Sequence, residues 1–307
     1  MPKIADYDKN NYDYETYWSD KNVRRDYEDQ AERIAIGRLL PRHGSWFCDL
    51  GAGFGRLFDT YENRFDHIIL ADYSLENMKK AKKRINPDGK KPGIYFFALN
   101  AYHLPFSNDS LDNIMSVRML HHIEDPQTVI REIKRVLSVN GIFLLEYANK
   151  KHFWAVIKYF LGKGKINPFK KIPEAQGDLF YNFHPHHIHS LFHIESLAIN
   201  KVLSVSNLRH KIFKKILPRT ILLALESIFQ VSLSPITFGP SIFIKTQKSG
   251  RVSDNRKPAI QLKDIVICPL CLESLAQCLP KTDNGEVKCG KCQSIYPIID
   301  GIYDFRV

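Results

Sequence analysis

The chain has 307 residues, 44% hydrophobic and 25% charged, with a formal net charge of +11. That is a globular composition, long enough for one large domain and a small one. No window approaches the roughly 18 consecutive apolar residues of a membrane span, the first residues lack an apolar signal core, and six cysteines, four of them in two C-x-x-C pairs, argue against a disulfide scaffold. A cytoplasmic location, free or at the membrane periphery, is expected.

Residues 1–21 are polar and tyrosine-rich, with Tyr14, Tyr17 and Trp18 clustered. From Asn22 to Leu40 the pattern is helical, with Tyr27, Ala31, Ile34, Ala35 and Leu39 on one face until Pro41 and Gly44 stop it. Trp46 to Leu50 reads as a buried strand that carries Asp49 near its end. Glycines follow at alternate positions, Gly51-Ala52-Gly53-Phe54-Gly55, and then Arg56 to Arg64, which has the length and residue types of a helix. This G-x-G-x-G departs from the dinucleotide fingerprint G-x-G-x-x-G, because Arg56 stands where the third spaced glycine is needed. An acid beside the turn repels a pyrophosphate and suits a ligand carrying an ammonium. The next strand, Ile68 to Ala71, ends on Asp72, about twenty residues after Gly51, the spacing at which an acid reaches ribose hydroxyls. A ligand with a ribose, an amine and no phosphate is S-adenosylmethionine (SAM).

Ser74 is a plausible N-cap for a helix to about Ile85. Ile94 to Leu99 makes a third strand ending at Asn100, and Leu111 to Val117 a fourth. Beyond it, Arg118-Met119-Leu120-His121-His122 falls at the carboxyl edge of the sheet, where a second substrate approaches. His121 or His122 suits a general base if the acceptor is a hydroxyl or amine; the alternative is loop packing and a bond to a backbone carbonyl. Asp125-Pro126 opens the next helix, and Ile142 to Tyr147 is the fifth strand. Strand–helix alternation with parallel crossovers requires cover on both sheet faces, so the fold class is α/β and doubly wound.

From residue 148 to 219 there are thirteen Lys and Arg against three acids, so nearly all the excess charge belongs to this segment. It suits an anionic partner (a phosphorylated substrate, RNA or an acidic membrane) or is a solvated insertion. His189 and His193 share an i, i+4 face, but no acid or cysteine completes a ligand set near them. Ser196 to Ser206 contains a sixth strand. Lys211 to Val231 is a helical excursion broken at Pro218: a lid, a packed helix or a membrane-contacting patch. Pro240 to Thr246 closes the sheet, and the polar stretch from residue 248 to 258 reads as a linker. In the tail, Cys268-x-x-Cys271 and Cys289-x-x-Cys292 have the spacing of a structural zinc site, with a redox dithiol as the competing reading. Cys278 is a spare thiol and Cys48 a buried strand residue.

DLGAGFG, LADYS, NAYHLPF and SVRMLHHIEDP, in this order over roughly residues 12–148, resemble the motifs of class I SAM-dependent methyltransferases, in the subgroup of quinone-biosynthesis and small-molecule enzymes. The resemblance implies a mostly parallel, seven-stranded Rossmann-like sheet whose last strand is antiparallel. It also implies that Asp49, Gly51 and Gly53 hold the methionine end, Asp72 the ribose, and Asn100 with Ala101 lie beside the adenine. Ala52, Gly55, Tyr73 and Arg118 complete the candidate cofactor set. Asn100 departs from the Asp usual there, which implies weaker or altered binding. CPLC, CGKC and the ending YPIIDGIYDF resemble the small zinc-ribbon proteins that activate tRNA, rRNA and translation-factor methyltransferases. That resemblance implies docking of Ile295 to Ile302 along a strand edge of the methyltransferase sheet.

The expected organisation is a methyltransferase domain over 1–247, with a basic insertion at about 150–235, and a zinc ribbon over 259–307. The expected acceptor is a small or lipid-like molecule. An RNA methyltransferase and a SAM-binding scaffold without activity are the alternatives.

Overall fold

Short apolar runs ending in acids resolve, in a computed structural model of the chain, into parallel strands whose carboxyl tips share one edge. The structure describes residues 8, 18, 25–164, 166–175, 180–250, 260–280 and 282–306. Tyr14, Tyr17 and most of the expected linker lie outside the described residues. The elements in chain order are α1 (Asp26–Leu39), β1 (Gly44–Leu50), β2 (Phe65–Asp72), α2 (Leu75–Ile85), β3 (Ile94–Leu99), β4 (Leu111–Ser116), α3 (Pro126–Val136) and β5 (Leu137–Ala148). Then follow α4 (Phe153–Phe160), β6 (Glu174–Ala175), β7 (Tyr181–Asn182), α5 (Pro185–Ile194), β8 (Leu197–Val205), α6 (Lys211–Ile216), α7 (Arg219–Ser232) and β9 (Ser241–Lys248). The tail adds β10 (Gly285–Lys288), β11 (Ile295–Ile299) and β12 (Ile302–Phe305).

One ten-stranded sheet has the order β10-β11-β12-β3-β2-β1-β4-β5-β9-β8. Its centre is parallel, with β9 antiparallel to both β5 and β8. The seven strands expected from the sequence are therefore present, and three from the tail extend them. Side-chain alternation splits the core between the two faces. Trp46, Cys48 and Leu50 of β1 enter one apolar cluster, whereas Phe47 enters the other, with Tyr61 and Leu70. Asp49 shares the Phe47 face and is 2% exposed.

The caps fall where their residue types predict: Ser74 Oγ accepts the Asn77 N–H at 3.0 Å, and Asp125 accepts the Thr128 N–H at 3.2 Å. Asp112 is structural, accepting from the Trp46 N–H and the Ser138 hydroxyl, each at 3.0 Å.

One expected element is corrected. The helix read over Arg56 to Arg64 is a run of tight turns holding only a 3₁₀ turn, Phe58–Thr60. In an α-helix the Thr60 N–H would bond the Arg56 carbonyl. Here the Arg33 guanidinium of α1 takes that carbonyl at 2.9 Å, and the Thr60 N–H turns to Leu57 instead.

The tail joins the sheet through β12, which runs parallel to β3 with Ile302 opposite Phe96 and Phe305 opposite Leu99. The docking strand thus lies C-terminal to most of the stretch expected to dock. The physical reason is aromatic: Tyr303 stacks on Phe97 at 4.9 Å, and Phe305 stacks on Tyr296 of β11 at 4.5 Å. A second seam holds the tail to the loop before β4, with the Ser107 N–H on the Ile265 carbonyl and the Ile267 N–H on that of Pro105. No helix among the described residues is long and apolar enough to cross a membrane.

Candidate functional site

The carboxyl tips of β1, β2, β3 and β4 surround a pocket. Eight of the residues singled out from the sequence line it: Gly51, Gly53, Asp72, Tyr73, Asn100, Ala101, Arg118 and His122. Gly51 (φ +84°) and Gly53 (φ +55°) occupy the left-handed region that favours glycine. The Gly53 N–H donates to Asp72 Oδ2 and the Ser74 N–H to its Oδ1, each at 2.9 Å. The β2 acid is thereby tied to the β1 turn. Burial nevertheless raises the Asp72 pKa, against those two N–H donors.

Asp49 lies in the buried layer on the Phe47 side and does not line the pocket. The Tyr61 hydroxyl donates to its Oδ2 at 2.6 Å. Burial pushes its pKa up to about 7, against the Tyr61 bond and the Arg56 charge. Ala52 and Gly55 shape the turn instead of facing the cavity. The Gly51 and Ala52 N–H groups both reach the Ala71 carbonyl, at 2.8 and 3.0 Å, and Gly55 (φ +74°) packs so closely on α2 that a Cβ would come 2.6 Å from Ile85.

Asn100 is 3% exposed and its amide oxygen accepts the Tyr102 N–H at 3.0 Å. The oxygen expected beside an adenine amine therefore also ties down the loop.

Arg118 is a left-handed non-glycine residue (φ +59°) at the pocket edge. Its N–H bonds Glu146 at 2.9 Å, and its guanidinium pairs with Glu32 of α1 at 2.5 Å. Glu32, fully buried, also pairs with Arg56, and the Trp18 ring lies 3.7 Å from the Arg56 guanidinium and 4.7 Å from that of Arg118. Glu146, raised by burial, accepts in addition from the Ser241 hydroxyl. Sequence reasoning singled out neither Glu32 nor Glu146; for Glu32 the available signal was an acid on the apolar face of α1, one residue from Ala31.

The two histidines part company. His121 is 8% exposed, packs on Phe180 at 4.5 Å, and burial holds its pKa well below the usual value, so it is neutral. His122 lines the pocket. Met119, Tyr102, Asn77 and Ile123, also in the lining, were not anticipated as site residues.

Among the described residues one group of side chains is arranged to hold a metal: Cys268, Cys271, Cys289 and Cys292, whose sulfurs all lie within 4.8 Å of one another. Each pair sits on the same backbone device. The Leu272 N–H returns to the Cys268 carbonyl and the Gln293 N–H to that of Cys289, with both Leu272 and Gln293 left-handed. The Cys268 N–H likewise bonds the Glu273 carbonyl, and that of Cys289 the Ser294 carbonyl. A tetrahedral zinc with bonds of about 2.3 Å needs sulfurs about 3.8 Å apart; Cys268–Cys292 and Cys271–Cys289 stand at 3.5 Å. The set fits such an ion. Cys48 and Cys278 lie outside it.

Residues 48–145 match the family described as a methyltransferase domain. An uncharacterized protein of Methanocaldococcus jannaschii is 33% identical over 157 residues, 51% of this chain and 56% of that protein. The ubiquinone/menaquinone biosynthesis C-methyltransferase UbiE of Methylococcus capsulatus is 26% identical over 142 residues, 45% of this chain and 57% of that one. The chain spans about half the length of the curated relatives it matches. In a solved complex between the Haloferax volcanii Trm112 methyltransferase activator and a methyltransferase, one chain is similar in fold, with a TM-score of 0.54 and 17% identity over 78% of this chain and 99% of that chain. Sheet order, glycine turn and family match agree over one stretch: residues 48–145 match a methyltransferase domain and lie on a Rossmann-like α/β sheet.

Proposed function

We propose that the protein is a SAM-dependent methyltransferase acting on a small or lipid-like acceptor, with the tail as a structural zinc ribbon on its sheet edge. The observation that carries the reading is the tie between Gly53 and Asp72 across adjacent strand tips, with Asp49 buried beside it. In this reading Asp72 receives the ribose hydroxyls on its outer lone pairs while the Gly53 and Ser74 N–H groups hold its plane. Asp49 supplies negative charge beneath the amine, Asn100 and Ala101 border the base, and Arg118 keeps Met119 against the turn. SAM, when bound, supplies an activated methyl group on its sulfonium. His122 borders the acceptor side and takes a proton where the acceptor requires it. The family resemblance and the relative named for quinone biosynthesis favour a small or lipid-like acceptor over RNA.

The test is calorimetry with SAM and its demethylated product, followed by transfer of a labelled methyl group onto separated lipid, RNA, protein and metabolite pools. Label in the lipid or metabolite pool supports the reading. Label in RNA alone, or binding with no transfer, replaces it with the RNA enzyme or the scaffold.

Asp49 gives a pH signature. Its folded pKa is raised from 3.8 to about 7, so the stability contributed by its protonated form is complete below about pH 4 and is lost as pH rises through 7. A ligand ammonium favours the ionised form and thus takes over a proton's place. SAM affinity is expected to rise by up to about tenfold per pH unit below 7 and to level off above it, with release of a proton read from calorimetry in buffers of different ionisation heat. Asp49→Asn flattens the profile. A flat profile in the unmodified protein removes Asp49 from the ammonium role.

His122→Ala is expected to lower kcat by about 10²-fold for a hydroxyl or amine acceptor while leaving SAM affinity within about twofold. An unchanged kcat assigns His122 to the pocket wall alone.

A further inference from the structure

The helix α4, Phe-Trp-Ala-Val-Ile-Lys-Tyr-Phe, contains one charged residue in eight and buries none fully: Phe153 and Trp154 stack on Phe238 and His210, Trp154 to Ile157 are half-buried, and Lys158 to Phe160 are exposed. A helix apolar on every side belongs inside a protein or against some other apolar phase. Phe160 is 73% exposed and Leu161, just after it, 64%. The rings of Tyr159, Phe160 and Phe169 nevertheless pack on one another, with centroids 5.7 to 5.9 Å apart, so the apolar group is preformed and faces outward. Lys158, Lys163, Lys170 and Lys171 flank these rings along the chain, and the pairing carboxylate among the described residues is Glu174, which meets Lys170 and the buried Lys150. Beside the aromatic group opens a cavity of about 310 Å³, lined by Lys150, Lys158, Lys163, His152 and Asn182, with no acid among the described residues of its wall; Glu174 reaches Lys150. His152 accepts the Ala155 N–H on Nδ1, which leaves its Nε2 as a donor.

We propose that α4 and the loop after it form a docking face for an anionic membrane surface, with the aromatic group entering the interface and the lysine-lined cavity receiving a lipid phosphate. Exposed apolar side chains flanked in the chain by lysines satisfy both requirements of such a surface: area to bury at the headgroup level, and charge to meet anionic lipid. A second copy of the chain is a poorer occupant, because a two-fold contact would set these lysines against their own equivalents. RNA fits the charge and the rings, but the exposed Leu161 and Ile172 are aliphatic and offer bases no stacking surface. The inference does not rest on methyl transfer, although it gives a lipid-like acceptor a route to the protein.

The experiment is sedimentation of the full chain with phosphatidylcholine vesicles and with vesicles enriched in phosphatidylglycerol, without SAM. Binding to the anionic vesicles is expected to be at least tenfold tighter and to fall with salt. Phe160→Ser combined with Leu161→Ser, and separately Lys158→Glu combined with Lys163→Glu, should each reduce it about tenfold or more. Circular dichroism and SAM affinity should stay unchanged in both, which separates a lost surface from a lost fold. Equal binding to both vesicle types, no binding to either, or binding that survives both pairs of substitutions overturns the proposal. So does a dimer in light scattering that the Phe160 and Leu161 pair dissociates. Loss of methyl transfer with vesicle binding intact bears on the enzyme reading alone.

Discussion

Gly51→Ala is expected to raise the dissociation constant for SAM by about a hundredfold or more, equivalent to about 3 kcal/mol. Two costs combine. At φ +84° a side chain is held in the left-handed region, at about 1–2 kcal/mol. The added Cβ would also stand 2.6 Å from Met119 Cβ and 2.9 Å from its Cγ, so one of the two must move. Met119 has little freedom to retreat: it follows left-handed Arg118, whose N–H is bonded to Glu146 and whose guanidinium is paired with Glu32. The turn gives way instead, carrying Gly53 off Asp72. Gly89→Ala is the control, because Gly89 is also left-handed (φ +69°) but meets nothing within 4 Å; it should leave SAM affinity within about twofold. Calorimetry on both variants decides the matter, and a Gly51→Ala protein within threefold of the unmodified one would show that the pocket does not need this close approach.

What the chain announces in advance and what it withholds divide by distance along the sequence. The glycine turn, the acids at the ends of β1 and β2, and the cysteine pairs are local patterns, legible because each needs its residue types at fixed short spacing. The winding after Gly55 was misread because its cause lies in α1: Arg33 takes the Arg56 carbonyl from more than twenty residues upstream, and no local propensity reports that bond. The clasp of Glu32, Arg56, Arg118 and Trp18 is likewise a tertiary product, with Arg118 reaching an acid 86 residues before it. His121 and His122 look alike in sequence; Phe180, from a distant loop, packs closely on the first and only edge-on against the second, which stays at the pocket. Docking by β12 instead of β11 turns on which strand carries the aromatics that match Phe97.

Replacing Cys268 and Cys289 together by serine, or stripping metal with a chelator, is expected to lower the thermal midpoint by more than about 10 °C. Structural zinc in small domains contributes on the order of 10–16 kcal/mol, and the tail's buried apolar side chains keep their places only while its turns and strands hold. Ile265, Val266, Leu275 and Val287 are buried, as are Tyr296, Ile298, Ile302 and Phe305, and most of them join the apolar cluster on one face of the sheet. Once the knuckles open, β10 and β11 lose the turn that joins them, β12 loses its partner β11, and Phe97, fully buried now beneath Tyr303, meets water. If about 7 kcal/mol or more of the metal's contribution reaches global unfolding, a chain of this size loses about 1.5 °C for each. The effect should extend to the pocket, though more weakly. Arg306, two residues beyond Asp304 of β12, bonds Asp8 at 3.2 Å and stands over the Tyr73 ring at 5.9 Å, and Asp8 in turn accepts the Leu75 N–H at the start of α2. Releasing that clasp frees the residue beside Asp72, so SAM affinity should fall a few-fold, far less than for Gly51→Ala. Metal analysis should find one zinc per chain in the unmodified protein and none in the double variant. A midpoint unmoved by complete removal of the metal would mean that β12 holds its place on β3 through aromatic packing alone, and that the four thiols contribute nothing to the sheet.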